Sequence, residues 1–296
     1  MKILSGYVWE GEDKASAAEK ENAAAEAWHS PEAVVLQQIR QGKEQLLFAC
    51  VCEGKGENAV SGAFCSYLSE QLVEWFYQRG LHWYQLHDRL KPWHGSGSSW
   101  IRESTDTRMK RELKHRIGRI LGELSDYSAK TGDRADVSMA GMLVAGKRFW
   151  LAQTGDARAY LINSRFQRPH IRRISDGDAL PDSPRISQDV PAEISQDVSM
   201  ESLKDVPAPA GTLTDVPAEV SVVSGRLQPG IGVLLCTQGF CSPLPETEIS
   251  QSLAVPEITA ESQLSRRLRE LHRESRQRTR QGGGSAVYFI LTAQQP

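Results

Sequence analysis

The sequence predicts an α+β fold in which antiparallel strands are covered by amphipathic helices. Short apolar runs follow one another through tight turns between Val137 and Asn163, and such a meander is typical of antiparallel pairing. Two long stretches, 57–79 and 104–130, carry apolar residues at helical spacing. The chain has 296 residues and is 40% hydrophobic, which is enough for a substantial core.

The N-terminal half is expected to contribute two strands and then the two long helices. The strands are 2–9 and 45–52, and the second is an apolar run closed by a glycine-containing turn. Segment 11–26 is polar and rich in alanine, and it could form a helix or a loose loop. Ser104 or Thr105 could cap the second long helix at its N-terminus.

The C-terminal half is expected to contain most of the strands. The meander comprises 137–145, 148–154 and 157–163, with a short fourth strand at 171–174. Further strands at 219–224 and 233–237 flank a turn at 228–232. Helices at 245–253 and 259–280 precede a final strand at 285–292.

Two segments interrupt this pattern. Residues 80–100 are rich in aromatic side chains and contain His82, His87 and His94, no two of which would lie on adjacent helical turns. This spacing favours a packing or contact surface over a metal site. Residues 178–214 contain short polar repeats with D-V pairs, and proline in most of them opposes regular pairing. We expect a flexible or extended loop there, with an array of short binding motifs or turns stacked on the domain edge as the alternatives.

Bulk properties exclude several classes of protein. The net charge of −2 gives no electrostatic bias toward nucleic acid. No apolar run reaches 18 residues, and the N-terminus lacks a signal-peptide core, so we expect neither a membrane span nor secretion but a cytoplasmic protein. The five cysteines form no C-x-x-C pair, and Cys50 and Cys52 alternate along a strand, which indicates buried thiols in a reducing compartment.

Three segments carry a family resemblance. They are 47–56, 149–161 and 230–240, which read LFACVCEGKG, FWLAQTGDARAYL and GIGVLLCTQGF. In order and spacing they resemble the signature segments of the PPM-type (type 2C) serine/threonine protein phosphatases. The resemblance covers nearly the whole chain as a single domain, 1–296. It implies a four-layer α/β/β/α sandwich, in which two antiparallel sheets stack face to face and a pair of helices lies outside each.

The resemblance also implies where a metal site would lie. In the family, two divalent metals held by carboxylates activate the water that attacks phosphorus. The corresponding positions in this chain are Glu12, Asp13, Glu53, Gly54 and Asp156. The family's phosphate-binding Arg falls near Val8, and two of its metal-binding Asp residues fall on Gln238 and Gly283. Since affinity for a hard dication depends on anionic oxygen ligands, we expect no tight two-metal centre. No cofactor is expected, or Mn or Mg if residual activity exists.

Segment 259–280 adds a candidate binding surface. Its arginines include Arg266, Arg269, Arg273 and Arg276, which form either a solvated helix face or a docking surface for an acidic or phosphorylated partner. The leading hypothesis is a catalytically degenerate phosphatase that acts as a binding or regulatory module in phospho-signalling. Its partner would be a protein, such as a kinase or a phosphoprotein. The alternative is a weakly active metal-dependent serine/threonine phosphatase.

Overall fold

The computed structural model describes ten stretches of the chain, from which the fold is built. They are residues 2–8, 32–41, 44–55, 59–80, 98–132, 136–163, 170–174, 219–254, 260–279 and 284–292. The polar segment 11–26, residues 81–97 of the aromatic segment and the repeat segment 178–214 lie outside them.

The described residues form ten strands and five α-helices. The strands are β1 (Lys2–Val8), β2 (Glu32–Gln41), β3 (Glu44–Lys55), β4 (Asp136–Ala145), β5 (Arg148–Thr154), β6 (Arg158–Asn163), β7 (His170–Arg173), β8 (Ser221–Arg226), β9 (Ile231–Cys236) and β10 (Ala286–Thr292). The helices are α1 (Ala59–Trp75), which continues as a π-helical turn (Phe76–Gly80), α2 (Ser98–Thr131), α3 (Gln238–Cys241), α4 (Glu246–Leu253) and α5 (Glu261–Arg278).

The strands form two five-stranded sheets. The first sheet has the order β2-β3-β4-β5-β8, and the second has the order β1-β10-β9-β6-β7. Every neighbouring pair is antiparallel. The α+β class and the antiparallel pairing predicted from the meander are therefore confirmed.

The side-chain alternation along β3 shows how the layers stack. Leu47, Ala49 and Val51 are buried among residues of both sheets, including Val233, Leu235 and Phe289, and so fill the space between the sheets. Leu46, Phe48, Cys50 and Cys52 point the other way and pack under α1 and α2. This two-residue period is what a strand buried on both faces requires. Cys50 and Cys52 share one side of the strand, as the sequence predicts.

The outer layer on the second sheet is built by α4 and α5. Leu264, Leu268 and Leu271 form the buried stripe of α5 and pack with residues of β1, β9 and β10. Together with α1 and α2 on the first sheet, this completes a four-layer α/β/β/α sandwich. Within the described residues, no helix is long and apolar enough to cross a membrane.

Two features differ from the sequence-based expectation. Strand β2 was not predicted, because it lies at the edge of its sheet and most of its side chains are only partly buried, which weakens the alternation. Helix α2 begins at Ser98, so Ser104 and Thr105 lie inside it and do not cap it.

Candidate functional site

Several chain segments converge at one end of the sandwich. The end of β3 supplies Glu53, the start of β2 supplies Glu32, and the turn between β5 and β6 supplies Asp156. Residues that follow β9 or precede β10 close the space from the second sheet. We call Glu32, Glu53 and Asp156, with Lys55 of β3, the carboxylate corner.

Glu53 acts as a helix cap in this structure. It lies on the same face of β3 as Val51, toward the second sheet. One oxygen, Oε2, accepts a hydrogen bond of 3.0 Å from the backbone N–H of Gln238, the first residue of α3. Thr237, the residue before α3, makes no side-chain cap. Glu53 therefore provides the acceptor for a backbone N–H group at the N-terminus of α3. Burial raises the pKa of Glu53, and the backbone N–H groups of Gln238 and Gly239 oppose that rise.

Glu32 is the acid of the corner that sequence reasoning missed. It pairs directly with Glu53 in the β2–β3 register, so both carboxylates lie on one face of the sheet. It is only 7% exposed. Ser285 donates its hydroxyl to Oε2, and the Thr237 hydroxyl lies 3.5 Å from Oε1. The run A-V-V-L after Glu32, read as an edge strand, would have been the signal for this position.

Asp156 is held in place by its turn and by a cation. Gly155 adopts a φ of 64°, and a Cβ atom there would lie 2.9 Å from the Cβ of Ser138, so the tight turn requires glycine. The backbone N–H of Asp156 donates to Ser138 Oγ at 3.1 Å. Its carboxylate forms an ion pair with the Lys55 ammonium. The hydrogen bond that Lys55 donates to the Asp156 carboxylate is the main reason that the pKa of Asp156 is lowered.

Glycines allow the second sheet to approach the corner. Gly284 has a φ of 65°, and a Cβ atom there would lie 2.6 Å from both the carbonyl carbon of Gly239 and Thr237 Oγ1. No side chain fits this position without displacing backbone. Gly54 is similarly close to α1, because its Cβ would lie 2.7 Å from the carbonyl oxygen of Ser61.

The remaining positions named from the sequence occupy different surroundings. Val8 is fully buried in the core between the second sheet and its helices. Gln238 contributes its backbone N–H to Glu53. Glu12, Asp13 and Gly283 lie outside the described residues. Arg266, Arg269, Arg273 and Arg276 are all exposed on α5, opposite its buried leucine stripe.

The acids of the corner that the structure describes already contact protein donors. Within the parts of the chain that the structure covers, no group of three or more His, Cys, Asp or Glu residues is placed to hold a metal ion. Asp156 is paired with Lys55, and Glu53 accepts from the backbone at α3. Both carboxylates therefore already have protein partners, whereas a metal site needs their oxygens directed at the ion.

Comparison with known proteins relates the fold to phosphatases. No family model and no curated protein matches the sequence. Among solved structures, the serine/threonine phosphatase Stp1 from Staphylococcus aureus aligns with a TM-score of 0.57 at 16% identity, covering 100% of this chain and 96% of that one. A bacterial serine phosphatase aligns with a TM-score of 0.57 at 17% identity, covering 99% and 100%. The catalytic domain of the phosphatase PstP, solved with two manganese ions, aligns with a TM-score of 0.50 at 16% identity, covering 99% and 100%.

These alignments extend over nearly the whole chain and agree with its two stacked antiparallel sheets and outer helices. At such low identity they establish architecture, and activity has to be argued from the site. The chain has the fold of the PPM-type serine/threonine phosphatases.

Proposed function

We propose that this protein is a catalytically degenerate PPM-type phosphatase that works as a binding or regulatory module in phospho-signalling. The observation that carries the proposal is the ion pair between Lys55 and Asp156. Asp156 is a carboxylate at which the family resemblance places a metal function. In this chain it faces an ammonium group, which is a poor neighbour for a divalent cation because like charges repel.

The other side chains of the corner support the same proposal. Glu53 accepts from the N-terminus of α3, Gln238 is neutral, and Gly283, the other position that the resemblance assigns to a metal-binding Asp, carries no side chain. Catalysis of phosphoryl transfer needs positioning and charge neutralisation at the same time. A corner whose carboxylates already accept from protein donors supplies neither the positioning nor the charge neutralisation.

The first test is metal binding measured together with turnover. We expect calorimetric titration with Mn to show no site tighter than about micromolar. We expect hydrolysis of an aryl phosphate and of a phosphoserine peptide to stay at background. The catalytic domain of PstP serves as the positive control. Two tight Mn sites with turnover of about one per second, within the usual range for enzymes, would refute the proposal.

One observation favours the alternative of a weakly active, metal-dependent serine/threonine phosphatase. Glu32 lies directly opposite Glu53, which brings two carboxylates to one face of the sheet. A single Mn or Mg ion near them would need one of these groups to leave its present partner. The same titration separates the two functions, because the alternative predicts one weak Mn site with Mn-dependent turnover.

The proposed partner is a protein with an acidic or phosphorylated segment, such as a kinase or a phosphoprotein. Arg266, Arg269, Arg273 and Arg276 are spaced three, four and three residues apart and so follow one exposed face of α5. We call them the arginine stripe. Over ten residues of helix the stripe is about 15 Å long. Arginine forks bind carboxylate and phosphate oxygens in pairs, which suits such a partner.

The present contacts of the stripe are compatible with binding. Arg266 pairs with Glu270 on the same helix, and its side chain is 80% exposed. Arg269 Nε contacts the carbonyl oxygen of Ser265, one turn earlier. Exposed contacts of this kind contribute about 0.2–1 kcal/mol each, so a partner's phosphate can replace them at little cost.

The partner proposal is tested with a fluorescein-labelled peptide that carries two phosphoserines among glutamates. Replacing the four stripe arginines by alanine should weaken its binding by about tenfold or more, since each exposed pair contributes about 0.2–1 kcal/mol. The matched control replaces four exposed basic residues of α2, which are Arg111, Lys114, Arg119 and Lys130. Equal loss in both variants would show non-specific attraction and contradict the proposal.

A further inference from the structure

Lys55 occupies an unusual position at the end of β3. It follows Glu53 by two residues, so the two side chains leave the strand on the same face. Its ammonium reaches Asp156, which is 101 residues further along the chain in the turn between β5 and β6. Among the described residues, no other side-chain ion pair joins the end of β3 to the β5–β6 turn.

We propose that Lys55 is a built-in cation that takes the structural place of a divalent metal in the carboxylate corner. It pairs with Asp156 from the strand face that it shares with Glu53, and it ties the end of β3 to the β5–β6 turn. In a metal-bound site, a dication would do both things at once. Here a covalently attached ammonium does them, so the corner needs no ion to remain assembled.

The charge of Lys55 has a direct consequence for metal binding. A lysine side chain that reaches Asp156 places its positive charge where a dication bound to that carboxylate would lie. The lysine and the ion compete for the same oxygens. Removing the ammonium while keeping the carboxylates should therefore raise the affinity of the corner for divalent ions.

This inference rests on the proposed function, because it explains how the fold dispenses with metal. The central variant is Lys55→Met, which keeps an unbranched side chain only one atom shorter and removes its charge. Lys110→Met is the matched control, because Lys110 is also 39% exposed and also pairs with an aspartate, Asp106. Lys55→Arg keeps the charge. Each variant is titrated with Mn by calorimetry, and its thermal midpoint is measured with and without Mn.

We expect Lys55→Met to bind Mn at least tenfold more tightly than the wild type and to gain thermal stability when Mn is added. The wild type, Lys110→Met and Lys55→Arg should show neither change. Unchanged Mn affinity in Lys55→Met, or an equal gain in Lys110→Met, would overturn the inference. Tight Mn binding and turnover by the wild type would instead overturn the proposed function, so the two failures are distinguishable.

A second variant covers the case in which Lys55→Met does not fold on its own. The double variant Lys55→Met/Asp156→Asn removes both charges and leaves no unpaired carboxylate at the turn. If the ammonium acts as the counter-ion of Asp156, the double variant should be more stable than Lys55→Met and should not respond to Mn. A double variant that is no more stable than Lys55→Met would show that Lys55 acts by packing, and the inference would fall.

Discussion

Replacing Gly284 tests how closely the second sheet approaches the carboxylate corner. Gly284 has a φ of 65°, a conformation that costs an L-residue roughly 1–2 kcal/mol. An alanine Cβ would also lie 2.6 Å from the carbonyl carbon of Gly239 and from Thr237 Oγ1. Overpacking of this kind typically costs about 1–3 kcal/mol. Together these terms predict that Gly284→Ala lowers the free energy of unfolding by about 2–5 kcal/mol.

The measurement is urea unfolding followed by tryptophan fluorescence and circular dichroism, with thermal midpoints as a second readout. For a domain of this size we expect the midpoint to fall by about 5–15 °C. Gly122→Ala is the matched control, because a Cβ there meets nothing within 4 Å and the residue lies inside α2. Alanine in a helix interior should stabilise by about 0.5–1 kcal/mol.

The result that would refute the reasoning is a Gly284→Ala variant within about 0.5 kcal/mol of the wild type while Gly122→Ala is stabilised as expected. The backbone of Gly239 and the start of β10 would then be further apart than the structure places them. Loss of stability confined to Gly284→Ala would confirm the close approach.

Three further predictions concern the site and the core. Gln238→Asp alone should leave phosphopeptide hydrolysis at background, because the other carboxylates keep their protein partners, and Mn-dependent turnover in this variant would contradict that. Asp106→Ala should lower the free energy of unfolding by about 2–3 kcal/mol, since its carboxylate accepts from Trp150 Nε1 at 2.8 Å and from Ser224 Oγ at 2.7 Å. As a control, replacing the exposed Asp126 by alanine should change the free energy of unfolding by less than about 0.5 kcal/mol. All five cysteines are buried thiols outside any disulfide, so a thiol reagent should label none of them within minutes unless the protein is unfolded first.

The architecture could be predicted from the sequence because the patterns that indicate it are local. The tight turns at 146–147 and 155–156 and the apolar stripe of α5 each depend on neighbouring residues. The missed strand, β2, has few buried side chains, and its register becomes apparent only once β3 is placed beside it. Its apolar content alone is too weak to separate an edge strand from a loop.

The corner was harder to predict because its contacts join distant parts of the chain. The motif around 47–56 contained Lys55, yet nothing local indicates that its ammonium meets Asp156 101 residues later. Glu32 is likewise separated from Ser285 by 253 residues, although the two are in hydrogen-bond contact. Such contacts depend on how the sheets pack, and the periodicity of apolar residues or the spacing of motifs does not predict that packing.

Two kinds of physical constraint act on the residues of this corner. Gly155 and Gly284 are required by backbone conformation and by atoms within van der Waals distance, so the fold needs them whether or not a metal binds. A carboxylate is constrained only by what it binds, and the fold tolerates any partner that supplies compensating charge or hydrogen bonds. Lys55 supplies charge to Asp156, and the N-terminus of α3 supplies a donor to Glu53. Under the proposed function, the fold therefore keeps its shape without a metal because each acid described at the corner, whether buried or exposed, has a protein partner.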